Sequence, residues 1–204
     1  MATLAALLAD VYSLTVRPDL VAESTVAVKA AVLKAHQSDL FYRDLNTSGL
    51  SAGAVNTVAY DLVAAYPRFR QLNSVQKSDP TKADPLIFAD TNNKGYFEIL
   101  NAANLFDDYK AVRDNIGYLV GSTLNLRSSQ SIGDIIIRHY DNQDLTNVAN
   151  MGWISDSHPY CIIFEATRIV FKTIGFDEQA SVYEKLTMEQ YAMLKASNIE
   201  AQAS

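Results

Sequence analysis

The sequence predicts an α+β protein: a helical bundle from the N- and C-terminal segments, with a small antiparallel β-domain inserted between them. Apolar residues recur at helical spacing over residues 4–38 and again over 159–195, while from about 55 to 140 they alternate with a period of two. Of the 204 residues, 49% are hydrophobic and 20% charged, the proportions of an ordinary folded chain. No long linker or internal repeat interrupts the chain. The expected layout is one unit over 1–204, with 1–40 and 157–204 as the bundle and 55–140 as the insertion.

Each element has its own signal. Leu4, Leu7, Leu8, Val11 and Tyr12 share one helical face, and Thr3 is placed to cap it. Arg17-Pro18-Asp19 ends that helix, because a proline disfavours a helical residue before it. Val21, Val28, Ala31, Val32 and Ala35 carry the next helix to about Ser38; its five alanines make it slim enough for close packing. The small, polar run Asn46-Thr47-Ser48-Gly49 and Ser51-Ala52-Gly53 reads as a loop. Strands are expected at Val58–Leu62, Phe69–Lys77 and Tyr118–Val120. Further ones follow at Thr123–Arg127, with Gly121 at the turn, and at Ile135–Tyr140. Another hairpin is expected where Leu86-Ile87-Phe88 and Tyr96–Leu100 flank a turn-rich segment, 90–95. Ser157-His158-Pro159 starts a helix that Gly175 stops, and Asp177 opens the last one through Tyr183, Leu186, Tyr191 and Leu194. The final residues, Ala196 to Ser204, are small and polar and read as a mobile tail. Leu7, Val28, Ile163, Phe171 and Leu194 are expected to be buried together in the bundle.

Charge and composition narrow the function. Seventeen basic against 23 acidic residues give a net charge of −6, and no stripe of Lys or Arg offers the clustered cations that a nucleic-acid backbone requires. No apolar run approaches the ~20 residues of a membrane helix. The opening residues lack the basic start of a secretory leader, so none is expected. The single Cys161 excludes an internal disulfide and the paired-cysteine zinc patterns, in keeping with a reducing cytoplasm. Asp156, Ser157, His158 and Cys161 lie within six residues and invite a hydrolase reading with Cys161 as nucleophile and His158 as base. A helix start explains the same residues more simply. His36, His139 and His158 make no i, i+4 metal face, and Asp141-Asn142-Gln143-Asp144 reads as a turn rather than a calcium loop. No glycine-rich phosphate loop occurs, and the sequon Asn46-Thr47-Ser48 has no secretory route to a glycan. No catalytic residue, cofactor or metal is therefore expected. The surplus of 11 tyrosines and eight phenylalanines is expected to divide between core and interface.

The order of motifs in the second half resembles a known family. Tyr118 to Ser128 is a hairpin with a central glycine and a Leu-x-Leu strand; Ile135 to Tyr140 is an Ile-rich strand ending in Tyr; Trp153 to Pro159 leads into a helix that closes at Gly175. This resembles the head-to-tail adaptor (connector) proteins of tailed bacteriophages, especially those of short-tailed phages. Asp10 to Leu20, followed by the Ala-rich helix, is similar to the opening of such virion proteins, and residues 40–117 match in character only. The chain departs from the pattern at Asp141, where related chains often carry a proline. The resemblance implies a virion structural protein, made in the host cytoplasm and located in the neck between head and tail. Its subunits would form a homo-oligomeric, dodecameric ring that docks on the portal protein, extends the channel for genomic DNA without binding it specifically, and presents a surface to the tail (nozzle or tail tube) protein. By the same resemblance, Ala196, Ser197, Asn198, Ile199, Glu200, Ala201, Gln202, Ala203 and Ser204 would reach into the portal. A head-completion or tail-terminator protein is the neighbouring alternative, and a small hydrolase using Cys161 and His158 the distant one.

Overall fold

A computed structural model of the chain describes residues 2–51, 56–77, 96–100, 115–128 and 131–203, with side chains through Ile199. The α+β class holds, with helices at both ends of the chain and sheets between them. In place of one unit, the chain forms two compact ones: residues 1–44 with 142–204, and residues 45–141. Among the described residues no helix is long and apolar enough to cross a membrane.

The first unit is helical: α1 (Leu4–Thr15), α2 (Val21–Gln37), a 3-10 turn at Tyr42–Asp44, then α4 (Trp153–Ser157), α5 (Pro159–Thr173) and α6 (Asp177–Ala203), with α3 reserved for the β unit. Thr3 caps α1 as expected, its hydroxyl accepting the Ala6 N–H at 3.1 Å. Pro159 opens α5, and Gly175 ends its turn at φ 81°. α5 is the central helix, touched by α1, α2, α4 and α6. Its buried residues include Cys161, Ile162, Ile163, Ala166 and Val170. Ala27, Ala31 and Ala35 of α2 are completely buried, so the slim face serves packing within the chain rather than against another subunit. Leu7, Val28, Ile163 and Leu194 share the expected core. Phe171 does not belong to that cluster; it is buried beside the α5–α6 turn, stacked on Tyr183 at 5.7 Å and tilted against Phe176 at 6.3 Å.

Glu165, on α5, is buried in this unit. Lys34 donates to it from α2 at 2.7 Å, and Arg168 from its own helix at 2.9 and 2.7 Å. Burial pushes the carboxyl up, but the hydrogen bonds from Arg168 and Lys34 outweigh it and hold the group below its ordinary value.

The second unit contains β1 (Leu45–Ser51), β2 (Thr57–Asp61), the one-turn α3 (Leu62–Ala65), β3 (Phe69–Lys77), β4 (Glu98–Leu100), β5 (Ile116–Val120), β6 (Thr123–Arg127) and β7 (Asp134–Asp141). One sheet runs β1-β7-β3 and the other β2-β6-β5-β4. β7 is central in its sheet, and Ile135, Ile136 and Ile137 are all buried, the run expected of a strand covered on both faces. Leu124 and Leu126 of β6 join Val75, Ile135 and Ile137 of the other sheet in one core. Gly121 supplies φ 60° at the β5–β6 turn, where the sequence placed it.

Three expectations change here. The run read as a loop at 46–51 is β1, paired with β7 from Leu45↔Tyr140 to Ser51↔Asp134, so the insertion begins at 45 rather than 55. An edge strand needs no apolar alternation, because pairing with β7 stabilises it from one side. The sheets are not wholly antiparallel, since β4 pairs parallel with β5. Leu100 and Ile116 lie far enough apart in sequence for such a parallel pairing. The arm at Leu86-Ile87-Phe88 and the turn at 90–95 lie outside the described residues.

Glu165→Gln should cost about 1–3 kcal/mol at neutral pH, because the buried group keeps its shape but loses the charge that strengthens its three hydrogen bonds. The cost stays moderate because Lys34 and Arg168 retain 53% and 18% side-chain exposure and can hydrate. A carboxyl depressed on folding stabilises fully above its unfolded value, near 4.5, and that contribution fades as pH falls through the lower folded value. Urea denaturation of both proteins across this range should show the gap closing on acidification.

Candidate functional site

The candidate docking segment at the chain end is not a loose tail. α6 continues through it to Ala203, and Ser204 lies outside the described residues. Ala196 and Ile199 are exposed, but Asn198 is buried at 8% exposure. Its Oδ1 accepts the Tyr42 N–H at 3.3 Å, and its Nδ2 donates to the Leu40 carbonyl at 3.4 Å. One amide thus satisfies a backbone donor and a backbone acceptor of the segment entering the 3-10 turn. Ser197 lies one residue before it; its hydroxyl donates to the Leu194 carbonyl at 2.8 Å and sits 3.3 Å from His158 Nε2. Small polar composition concealed this anchoring. The signal was the spacing of Ala180, Tyr183, Thr187, Tyr191, Leu194 and Asn198, a helical stripe that runs past the point where apolar residues stop.

Beside Ser197 and Asn198 opens a pocket of about 130 Å³, lined also by Tyr42, Arg43, Trp153, Ser157 and His158. The Arg43 guanidinium lies over the Trp153 ring, 5.1 Å from its centroid. Trp153 is fixed from the other side. Its Nε1 donates to Asp44 Oδ1 at 2.8 Å, and its ring meets Phe41 edge-on at 5.3 Å. The Asp44 carboxylate also lies 2.9 and 3.0 Å from His36 Nδ1. Nothing local in the sequence announces this cluster, since 109 residues separate Asp44 from Trp153.

His36 and Asp44 have the spacing of a base and its orienting carboxylate, but the far nitrogen is walled in. A Cβ on Gly152 would lie 2.7 Å from His36 Nε2 and 2.8 Å from the Gln143 carboxamide, and Gly152 itself has φ 93°. The pair is structural: it holds α2, the 3-10 turn and α4 together.

The residues of the hydrolase reading are scattered in role. Cys161 is completely buried, and burial pushes its thiol up to about 11, so it stays protonated at neutral pH. The hydrogen-bond partner of the His158 ring is Ser197. The Ser157 hydroxyl donates to the Trp153 carbonyl at 2.9 Å, and Asp156 accepts the Ala2 N–H. Ser197, 3.3 Å from His158 Nε2, also donates to the Leu194 carbonyl within its own helix at 2.8 Å. At the other expected turn, Asp141 ends β7 and accepts from Asn46 at 3.1 Å, while Asp144 takes the Thr146 N–H at 2.9 Å. No cluster of three metal-ligating side chains forms among the described residues.

Neither protein-family models nor curated proteins give a match to this chain.

Gly152→Ala should destabilise the helical unit by about 2–4 kcal/mol, combining backbone strain at positive φ with overpacking against His36. The chain has one tryptophan, Trp153, next to the substitution. Its fluorescence followed through chemical denaturation reads the loss directly.

Proposed function

We propose that the chain is a virion structural protein, the subunit of a head-to-tail adaptor ring in the neck of a tailed phage. In this reading it docks on the portal, lines the DNA channel and offers the tail its attachment surface. The motif order supports the reading through resemblance. The structural observation that carries it is α6. At 27 residues this helix is about 40 Å long. It buries one stripe, yet Val182, Met188, Met193 and Ile199 stand 57–67% exposed on its remaining surface. By helical position Val182, Met193 and Ile199 fall on the side opposite the packed stripe and Met188 on its flank, and exposed apolar side chains of this kind suit a contact between neighbouring subunits of a ring. Methionine adapts its shape to such contacts. A net charge of −6 lets DNA slide past rather than adhere.

Proteomic mass spectrometry of purified virions of the phage encoding the chain, with imaging of the particle, tests the reading. The chain should be present, with ring density between portal and tail; its absence from the particles would overturn the proposal. For portal docking, the informative truncation starts after Asn198, since removing Ser197 and Asn198 would also remove the anchor at Tyr42. Deleting residues 199–204 should leave the melting temperature within about 2 °C of the full chain, yet abolish joining to tail-less heads. Joining at unchanged efficiency would move the portal contact elsewhere on the subunit.

A further inference from the structure

We infer that the pocket between the 3-10 turn, α4 and the end of α6 is a binding site for a carboxylate of a partner polypeptide. The chain is acidic overall, yet no Asp or Glu lines this pocket. The nearby carboxylates are already engaged. Asp44 takes Trp153 and His36, Asp39 accepts the Leu40 N–H at 2.8 Å, and Asp156 accepts from Ala2. Arg43, by contrast, makes no ion pair or hydrogen bond with any described residue. Its one partner is the Trp153 ring, which lies against the face of the guanidinium and leaves the edge that carries the N–H donors uncommitted.

The hydroxyls of the lining serines are engaged within the chain, Ser197 with the Leu194 carbonyl at 2.8 Å and Ser157 with the Trp153 carbonyl at 2.9 Å, which leaves the Arg43 guanidinium as the donor on which the inference rests. Asn198 Oδ1, an acceptor that would repel an anion, is turned to the Tyr42 N–H. What remains is a recess free of acidic side chains, with the Arg43 guanidinium set against an aromatic wall. A cavity of about 130 Å³ suits a single planar carboxylate, and a guanidinium meets that group through two parallel N–H donors. Tyr42, 62% exposed at the rim, offers apolar contact to the residue that carries the acid. The carboxylate can come from an Asp or Glu side chain or from a chain terminus. The inference does not rest on the adaptor reading and survives if the chain proves absent from virions.

Trp153, the sole tryptophan, lines the site and reports its occupancy. The full chain is titrated with three peptides: acetyl-Ala-Ala-Glu-Ala amide, acetyl-Ala-Ala-Leu with a free carboxylate, and the neutral acetyl-Ala-Ala-Gln-Ala amide. Saturable change in Trp153 fluorescence is expected with at least one carboxylate peptide and none with the neutral one; which responds identifies side chain or terminus. Arg43→Gln should weaken binding at least tenfold at an unchanged melting temperature, and Arg43→Lys should restore part of it. The inference is overturned by equal responses to all three peptides, by no saturable response, by undiminished binding to Arg43→Gln, or by a response to inorganic phosphate alone.

Discussion

The helical unit turns on the Asp44 carboxylate. This side chain is only 8% exposed, and its cost of burial is offset by donors from two elements far apart in sequence, His36 Nδ1 on α2 and Trp153 Nε1 on α4. Asp44 is also the last residue before the chain enters β1. The anchor therefore fixes where the N-terminal helices end and where the chain returns. Gly152 is a consequence of it: His36 needs the space next to that backbone, and no residue with a Cβ can provide it.

Glu165 solves a similar problem differently. It sits on the central helix among Cys161, Ile162 and Ala166, and draws on cations that remain partly in water. Asp44 is locked by rigid ring donors, Glu165 by flexible ones. The first arrangement specifies geometry; the second ties α2 to α5 while allowing the exposed ends of Lys34 and Arg168 to stay hydrated. Around both, the alanines of α2 let the helices approach without large side chains between them.

Local chemistry made much of the fold legible. Thr3, Pro159, Gly121 and Gly175 act through their own backbone or the next turn, and each stands where its residue type demanded. β1 was hidden because its stability comes from β7, about 90 residues away, and its composition carries no period. The end of α6 was hidden for the same kind of reason: Asn198 anchors it through amide hydrogen bonds to the backbone of residues 40–42, which hydropathy does not register. The pocket draws its walls from 42–43, 153–158 and 197–198, three segments that only folding brings together. Trp153 and His158 were visible as part of a motif, but their partners were not.

The β unit enters and leaves through paired strand ends, Leu45 lying opposite Tyr140. Partners in an antiparallel ladder have Cα atoms about 5 Å apart, a gap that a tight turn can span. In evolutionary terms the β unit is a cassette. Its gain, loss or exchange would leave the helical unit with a short connection to close, at little cost in chain entropy. Homologues of very different length can then share the same helices, with the length difference confined to one point in the chain.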